Sequence, residues 1–389
     1  MNRWHDVPAA TITAATRGTL AVEGPGATPV RLPGWAFGQM AERFSRIVTR
    51  HAAGARLDLT TAAGSLELTV RLTRYLSVST ERQSGRSVFA VVDTGGAPVT
   101  VATAAGSLER ELPDGSVAFE DDGPVVVRFD LGAAAGTPRR VQLWLPHNSA
   151  VTIVGLRADA PVTAYDGERG PVWLHHGSSI SHCLDAASPL DRWPAIAARG
   201  LGLELVDLGF AGNAMLDPYV ARAIRDASAD LITLKVGINI VNGDALTQRT
   251  LVPALHGFLD TVRDGHPGTP LVVVSPVFCG IHEHTPGPTL QDPVTGTCRA
   301  AGTGTLDLAT VRTLVEAVAR ERQESDPALF VLDGRELLSA DDASTLWDDL
   351  HPDETGYRRI GERFAALATM HTGQLARAFQ RVGEAVAPG

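Results

Sequence analysis

The sequence holds a single lysine, Lys235, and three cysteines, Cys183, Cys279 and Cys298. Three cysteines make no disulfide framework and no paired metal-ligand spacing. A Cys279–Cys298 bridge closing one loop is open to the sequence, but in a reducing compartment free thiols are the reading. Positive charge is also short. Thirty-four Lys and Arg against 44 Asp and Glu give a net charge of −10, which counts against a nucleic-acid partner, because such proteins carry a basic footprint. The near-exclusive use of arginine reads as coding-sequence bias and carries no function. No apolar run reaches the ~20 residues of a membrane span, so no membrane partner is expected. The stretch Met1-Asn2-Arg3-Trp4-His5-Asp6 lacks the apolar core of a signal peptide, and the expected location is the cytoplasm. There is no internal repeat, and nothing of low complexity beyond short Ala/Gly-rich turns.

The 44% hydrophobic and 20% charged residues are those of a globular protein, and 389 residues are long for one core. Residues 1–160 are short β-type runs: Leu57–Leu59, Leu66–Leu72, Val88–Val92, Val99–Ala102, Val125–Phe129, Val141–Leu145 and Val151–Leu156. Turn signals such as Asp121-Asp122-Gly123-Pro124 separate them, which suggests an antiparallel sandwich or jelly roll. One helical stripe runs through Phe37, Met40, Phe44, Ile47 and Val48. Trp4, His5, Asp121 and Asp122 could touch a ligand, but turn and packing roles are the safer reading.

Pro and Gly punctuate residues 158–171, the expected boundary. From residue 171 to 389 apolar strands alternate with helical patterns. The strands are Val172–His175, Leu203–Leu208, Leu231–Val236, Leu271–Val274 and Leu329–Leu332. They are continuous apolar runs, as expected of parallel strands covered on both faces. Asp217-Pro218 opens a helix running to about Ala227. Further helical stripes run over Leu251–Val262, Leu308–Val318 and Tyr357–Leu367. The expected fold class is α/β, a flavodoxin-like doubly wound parallel sheet preceded by an all-β sandwich.

The stretch Val172–Cys183 organises this second part. It begins as a buried strand, turns at Gly177 and presents Ser178, Ser179 and Ser181. A serine at the carboxyl end of a parallel strand stands where open α/β sheets place their chemistry. Acyl transfer by serine needs a base, a carboxylate that orients it, and donors for an oxyanion. In Asp348-Asp349-Leu350-His351 the carboxylate can reach back to one imidazole nitrogen and leave the other for Ser179. Gly212 follows the second strand and can offer a bare N–H; Asn239 follows the third and can offer its amide. Alone, D-x-x-H is often a helix entry, Gly212 a turn glycine and Asn239 a strand-end cap.

Together, in this order, these residues resemble the SGNH (GDSL-type) hydrolase superfamily, over residues 172–369. The resemblance implies Ser179 as nucleophile, Asp348 and His351 as acid and base, and Ser179, Gly212 and Asn239 as the oxyanion hole. Two positions depart from the pattern. Gly-Asp-Ser becomes Gly177-Ser178-Ser179, where Ser179 holds the third place, and Asn-Asp becomes Asn239-Ile240. The plan of a β-sandwich ahead of such a domain is similar to a group of actinobacterial members that includes O-acyltransferases of polyketide natural products. The five-residue set then leads to an acyl-Ser intermediate whose acyl group passes to a small hydroxyl acceptor. The cytoplasmic setting makes an activated thioester such as acyl-CoA available as co-substrate, and no resident cofactor is expected. Hydrolysis of a carbohydrate or small-molecule ester is the alternative, and a binding protein with a spent hydrolase fold the third reading.

Residues 275–304 form a long loop, expected to wall the acyl or acceptor pocket. Its His282-Glu283-His284 is a weak metal signal, and none is expected. His175 and His176 are expected to pack, Cys183 to be a small buried residue, and Lys235 to be paired or to reach out of its strand.

Overall fold

The structure is a computed structural model that describes residues 4–24, 26–76, 85–93, 97–112, 114–132 and 136–386. Residues 1–3 of the amino-terminal stretch lie outside the described residues. The chain divides into two units. One comprises Met1–Pro33, Glu42–Glu168 and Ala187–Leu190; the other comprises Gly34–Ala41, Arg169–Ala186 and Asp191–Gly389. Two short exchanges thus depart from a division at 160 and 171. In the second unit the Arg222 guanidinium lies 5.0 Å over the Trp35 ring and donates to Gln39. The helix expected over Phe37–Val48 accordingly comes in two pieces, a 3-10 turn over Gly34–Gln39 and an α-helix over Arg43–Arg50.

Among the described residues, a small pair of strands, Ala21–Glu23 with Thr28–Val30, and two six-stranded sheets build the first unit. One has the order His5–Asp6, Ser149–Ala158, Ser65–Leu76, Ser107–Glu111, Val117–Glu120, with Val125–Asp130 also paired to Ser65–Leu76. The other has the order Val162–Ala164, Arg56–Thr61, Arg139–Trp144, Ser87–Asp93, Val99–Thr103, with Thr16–Arg17 on Arg56–Thr61. Alternation is cleanest in Val125–Asp130, where every second residue is buried, because one face of each sheet packs inward. Leu57, Leu59, Val141 and Leu143 of one sheet share a core with Leu66, Leu68, Val127 and Ile153 of the other. Phe89 meets Phe129 edge-on across that core at 6.0 Å. Strands Ser107–Glu111 and Val117–Glu120 escape a sequence reading because they are half-exposed and carry charge.

The second unit is a five-stranded parallel sheet in the order Glu204–Gly209, Val172–Gly177, Leu231–Lys235, Leu271–Val274, Leu329–Leu332. The first two strands thus exchange places, the flavodoxin-like order that opens a crevice at the carboxyl ends. Alternate residues of Val172–Gly177 face opposite layers. Trp173 stacks on Phe364 of helix Glu354–Ala368 at 4.9 Å, and His176 lies parallel to Phe258 of helix Gln248–Gly265 at 6.0 Å. Asp307 and Asp353 cap their helices through the N–H groups of Thr310 and Gly356. Asp217 precedes helix Pro218–Arg225, yet its side chain makes no cap bond; the first-turn proline sets the start. Helix Trp193–Leu201 showed no stripe in the sequence because it is apolar nearly all round. Among the described residues no helix is long and apolar enough to cross a membrane.

Candidate active site

The strand Val172–Gly177 ends in the middle of the sheet and runs directly into a one-turn helix, Ser179–His182. Gly177 is required by space, since a Cβ there would collide with the Ser181 side chain. Three hydroxyls follow with three fates. Ser178 is fully buried, and its Oγ accepts the Ile180 N–H at 3.3 Å as the helix cap. Ser181 is buried, with its Oγ 2.8 Å from His175 Nε2. Ser179 is half-buried, and its Oγ lies 2.9 Å from His351 Nε2.

His351 closes a turn in which Trp347 N–H donates to the His351 carbonyl at 3.0 Å. Within it Asp348 is almost fully buried. Its Oδ2 lies 2.7 Å from His351 Nδ1, and its Oδ1 accepts the N–H groups of Leu350 at 3.0 Å and His351 at 2.6 Å. An ionised carboxylate only accepts, so His351 Nδ1 must carry the proton. Nε2 then presents its lone pair to the Ser179 hydroxyl, which donates to it. Burial alone would lower the His351 pKa, but the bond to Asp348 and the charges of Asp348 and Asp185 outweigh it and raise it above the ordinary 6.5. Burial would raise Asp348; the bond to His351, its charge and the two N–H donors hold the carboxyl below its usual range.

Asn239 follows the third strand, Leu231–Lys235, and is no strand-end cap: it stands in a one-turn helix, Ile238–Asn242, entered through Gly237 at φ +129. A Cβ at Gly237 would sit 2.4 Å from Pro276 Cγ, so only glycine makes this entry. The Ala214 N–H donates to Asn239 Oδ1 at 3.0 Å, which fixes the amide and leaves its NH2 end as a donor. Gly212, exposed at φ +70, lies two residues before Ala214.

Behind the serine helix lies a layer of buried polar side chains, of which sequence reasoning passed over Arg192 and Asp207. Arg192 pairs with Asp207, both without exposed side-chain surface, and donates to the carbonyls of His182 at 2.8 Å and Ser181 at 3.2 Å. Asp207 Oδ1 also accepts the Gly209 N–H at 2.6 Å. An acid inside the strand Glu204–Gly209 was the available signal. His175 Nδ1 lies 2.7 Å from Thr233 Oγ1; burial, then the charges of Lys235, His176 and Arg192, push its pKa far down, so it is a neutral brace. Lys235 does not reach out of its strand. It is buried, and its pKa falls to about 8 by desolvation. Burial lifts the Cys183 thiol to about 12.

The stretch 275–304 carries a hairpin of Thr289–Gln291 and Cys298–Ala300. His282 is tied to Thr289 Oγ1 at 2.7 Å and the Thr285 carbonyl at 3.2 Å, and Glu283 forms a two-point pair with Arg312. No cluster of three possible metal ligands occurs among the described residues. All three cysteines are free thiols. In the first unit Arg157 covers the Trp4 ring, and Asp121 and Asp122 accept bonds from Ser107, Gly123 and Gly106, which are turn roles.

The model of the GDSL-like lipase/acylhydrolase family matches residues 176–359. Among solved structures, the chain is similar to the salicylyl-acyltransferase SsfX3 from a tetracycline biosynthetic pathway, with TM-score 0.76 and 24% identity, over 95% of this chain and 98% of that one. A GDSL-like lipase from Bacteroides ovatus is similar at TM-score 0.65 and 17% identity, over 94% and 97%. A family two carbohydrate esterase from Clostridium thermocellum, solved with cellohexaose, is similar at 0.55 and 15%, over 82% and 92%. No curated protein sequence matches the chain.

Proposed function

Taking residues 176–359 as a GDSL-like lipase/acylhydrolase domain, we propose that the protein is an O-acyltransferase that works through an acyl-Ser179 intermediate. The observation that carries this reading is the 2.9 Å contact of Ser179 Oγ with an imidazole whose other nitrogen is held by Asp348. His351 Nε2 takes the hydroxyl proton as Ser179 Oγ attacks the thioester carbonyl of an acyl-CoA. The tetrahedral oxyanion is met by the N–H groups of Ser179 and Gly212 and the Asn239 amide, each worth about 3 kcal/mol. The CoA thiolate leaves with the proton from His351. An acceptor hydroxyl then gives its proton to the same nitrogen, attacks the acyl-serine, and releases Ser179 with its proton restored. The reaction uses no resident cofactor.

Similarity to a salicylyl-acyltransferase of a tetracycline biosynthetic pathway over both units supports transfer to a hydroxyl of a natural-product acceptor. The proposed setting is the cytoplasm, where acyl-CoA is found. Similarity to a carbohydrate esterase favours a second reading, hydrolysis of a sugar or small-molecule ester. Incubation with a panel of acyl-CoA thioesters, read by intact mass, tests the first. The expected result is an acyl adduct that is absent from Ser179→Ala and is discharged by added alcohol. Release of free acid at high acceptor concentration, with no transfer product, moves the assignment to hydrolysis.

A further inference from the structure

Asp348 is offered more than its imidazole. A carboxylate has two oxygens with about four lone-pair sites in all. Oδ1 is filled by the N–H groups of Leu350 and His351, and Oδ2 holds His351 Nδ1. The fourth position is taken by Cys298, whose Sγ lies 3.7 Å from Oδ2. The backbone repeats the contact, since the Cys298 N–H donates to the Asp348 carbonyl at 2.8 Å. Both residues are buried. Burial, together with the neighbouring carboxylate, pushes the Cys298 thiol up to about 12, so the sulfur keeps its proton and is the donor. The same loop supplies a second thiol. Cys279 Sγ–H donates to the carbonyl of Asp349 at 3.5 Å. Asp349 holds φ +68, a left-handed conformation that aspartate tolerates better than most residues, and its carbonyl is the acceptor of that thiol.

We propose that Cys298 is a positioning residue of the acid–base pair, its thiol proton completing the shell of Asp348 so that one carboxylate oxygen stays aimed at His351. The inference rests on the Ser179 reading above. The stretch 275–304 then serves as a clamp on the Asp348–His351 turn. The titratable groups facing this pair are Cys298 and Cys279 from the loop, Asp185 from beyond the serine helix, and Tyr357 from the following helix. Without the thiol, the carboxylate gains a free lone pair and rotational freedom. It accepts more strongly from the imidazole but holds it less well.

The test is p-nitrophenyl acetate turnover by the full chain, with pH profiles, for wild type, Cys298→Ala, Cys298→Ser and Ser179→Ala. Cys298→Ala is expected to lower kcat on the order of tenfold, with KM unchanged. The acid limb of kcat/KM should move to higher pH. Cys298→Ser keeps a donor and should restore both. Should Cys298→Ala be too slow to profile, the downfield Nδ1 proton resonance of His351 must still differ from that of wild type. Wild-type rate and acid limb in both variants, or equal losses in both with an unmoved acid limb, overturn the proposal, while Ser179→Ala remains inactive. Full turnover by Ser179→Ala overturns the serine reading and this inference together.

Discussion

Arg192 and Asp207 are paired where neither side chain reaches solvent, and the same guanidinium holds the last two carbonyls of the helix that begins at Ser179. A helix of one turn has almost no hydrogen bonds of its own. Its position is therefore imposed from behind, by Arg192, by the His175–Ser181 bond and by the Ser178 cap.

Breaking that pair leaves an uncompensated buried charge. Asp207→Ala is expected to cost about 3–5 kcal/mol of stability, and the double replacement Arg192→Met/Asp207→Leu much less. Thermal unfolding of the three proteins measures the difference. A single variant as stable as wild type would remove the pair from this account.

Serine identity separates cleanly. Ser179→Ala should abolish labelling by a fluorophosphonate probe. Ser178→Ala should keep labelling and lose only the cap, about 1 kcal/mol. The reverse pattern would transfer the nucleophile to Ser178.

On the proposed reading His351 is the base and must be neutral to act; its pKa is raised, so kcat/KM is expected to climb through a value above 6.5. Asp348→Asn should move that limb to lower pH and reduce kcat by roughly 10⁴-fold, as loss of the orienting carboxylate does in other serine triads. Stability follows the same two groups with opposite signs. The His351 contribution is complete below its unfolded value and fades as pH rises through the folded one. The Asp348 contribution is present above the ordinary 3.8 and fades as pH falls through its depressed value. Calorimetry of wild type and Asp348→Asn across pH reads both.

If Asn239 donates to an oxyanion, Asn239→Ala should lower kcat by about 10²–10³-fold while KM changes little. A fall confined to KM would assign the amide to ground-state binding.

At Gly237, alanine meets both φ +129 and the Pro276 ring. Strain of this kind costs on the order of 1–3 kcal/mol, before the collision is counted. Gly237→Ala should therefore unfold at lower denaturant than wild type, and an unchanged midpoint would show that Pro276 gives way.

What the sequence determined by itself is what lies close along the chain. Asp348 and His351 are three residues apart, so one turn brings a carboxylate to an imidazole nitrogen, and the spacing alone conveys it. The strands Leu231–Lys235 and Leu329–Leu332 are legible because burial on both faces leaves a continuous apolar run. The resemblance points to Ser179 by its place in the block, but only the tertiary structure shows that its hydroxyl, and not that of Ser178 or Ser181, meets His351, because adjacent residues on one helical turn point in different directions. It alone shows Arg192 with Asp207, Cys298 with Asp348, and residues 34–41 grouped with the second unit. Those contacts join segments with no periodic relation to each other. A buried polar pair drawn from two separate segments leaves no spacing to read: Asp207 stands out singly as an acid inside a strand, but nothing in the sequence names Arg192 as its partner.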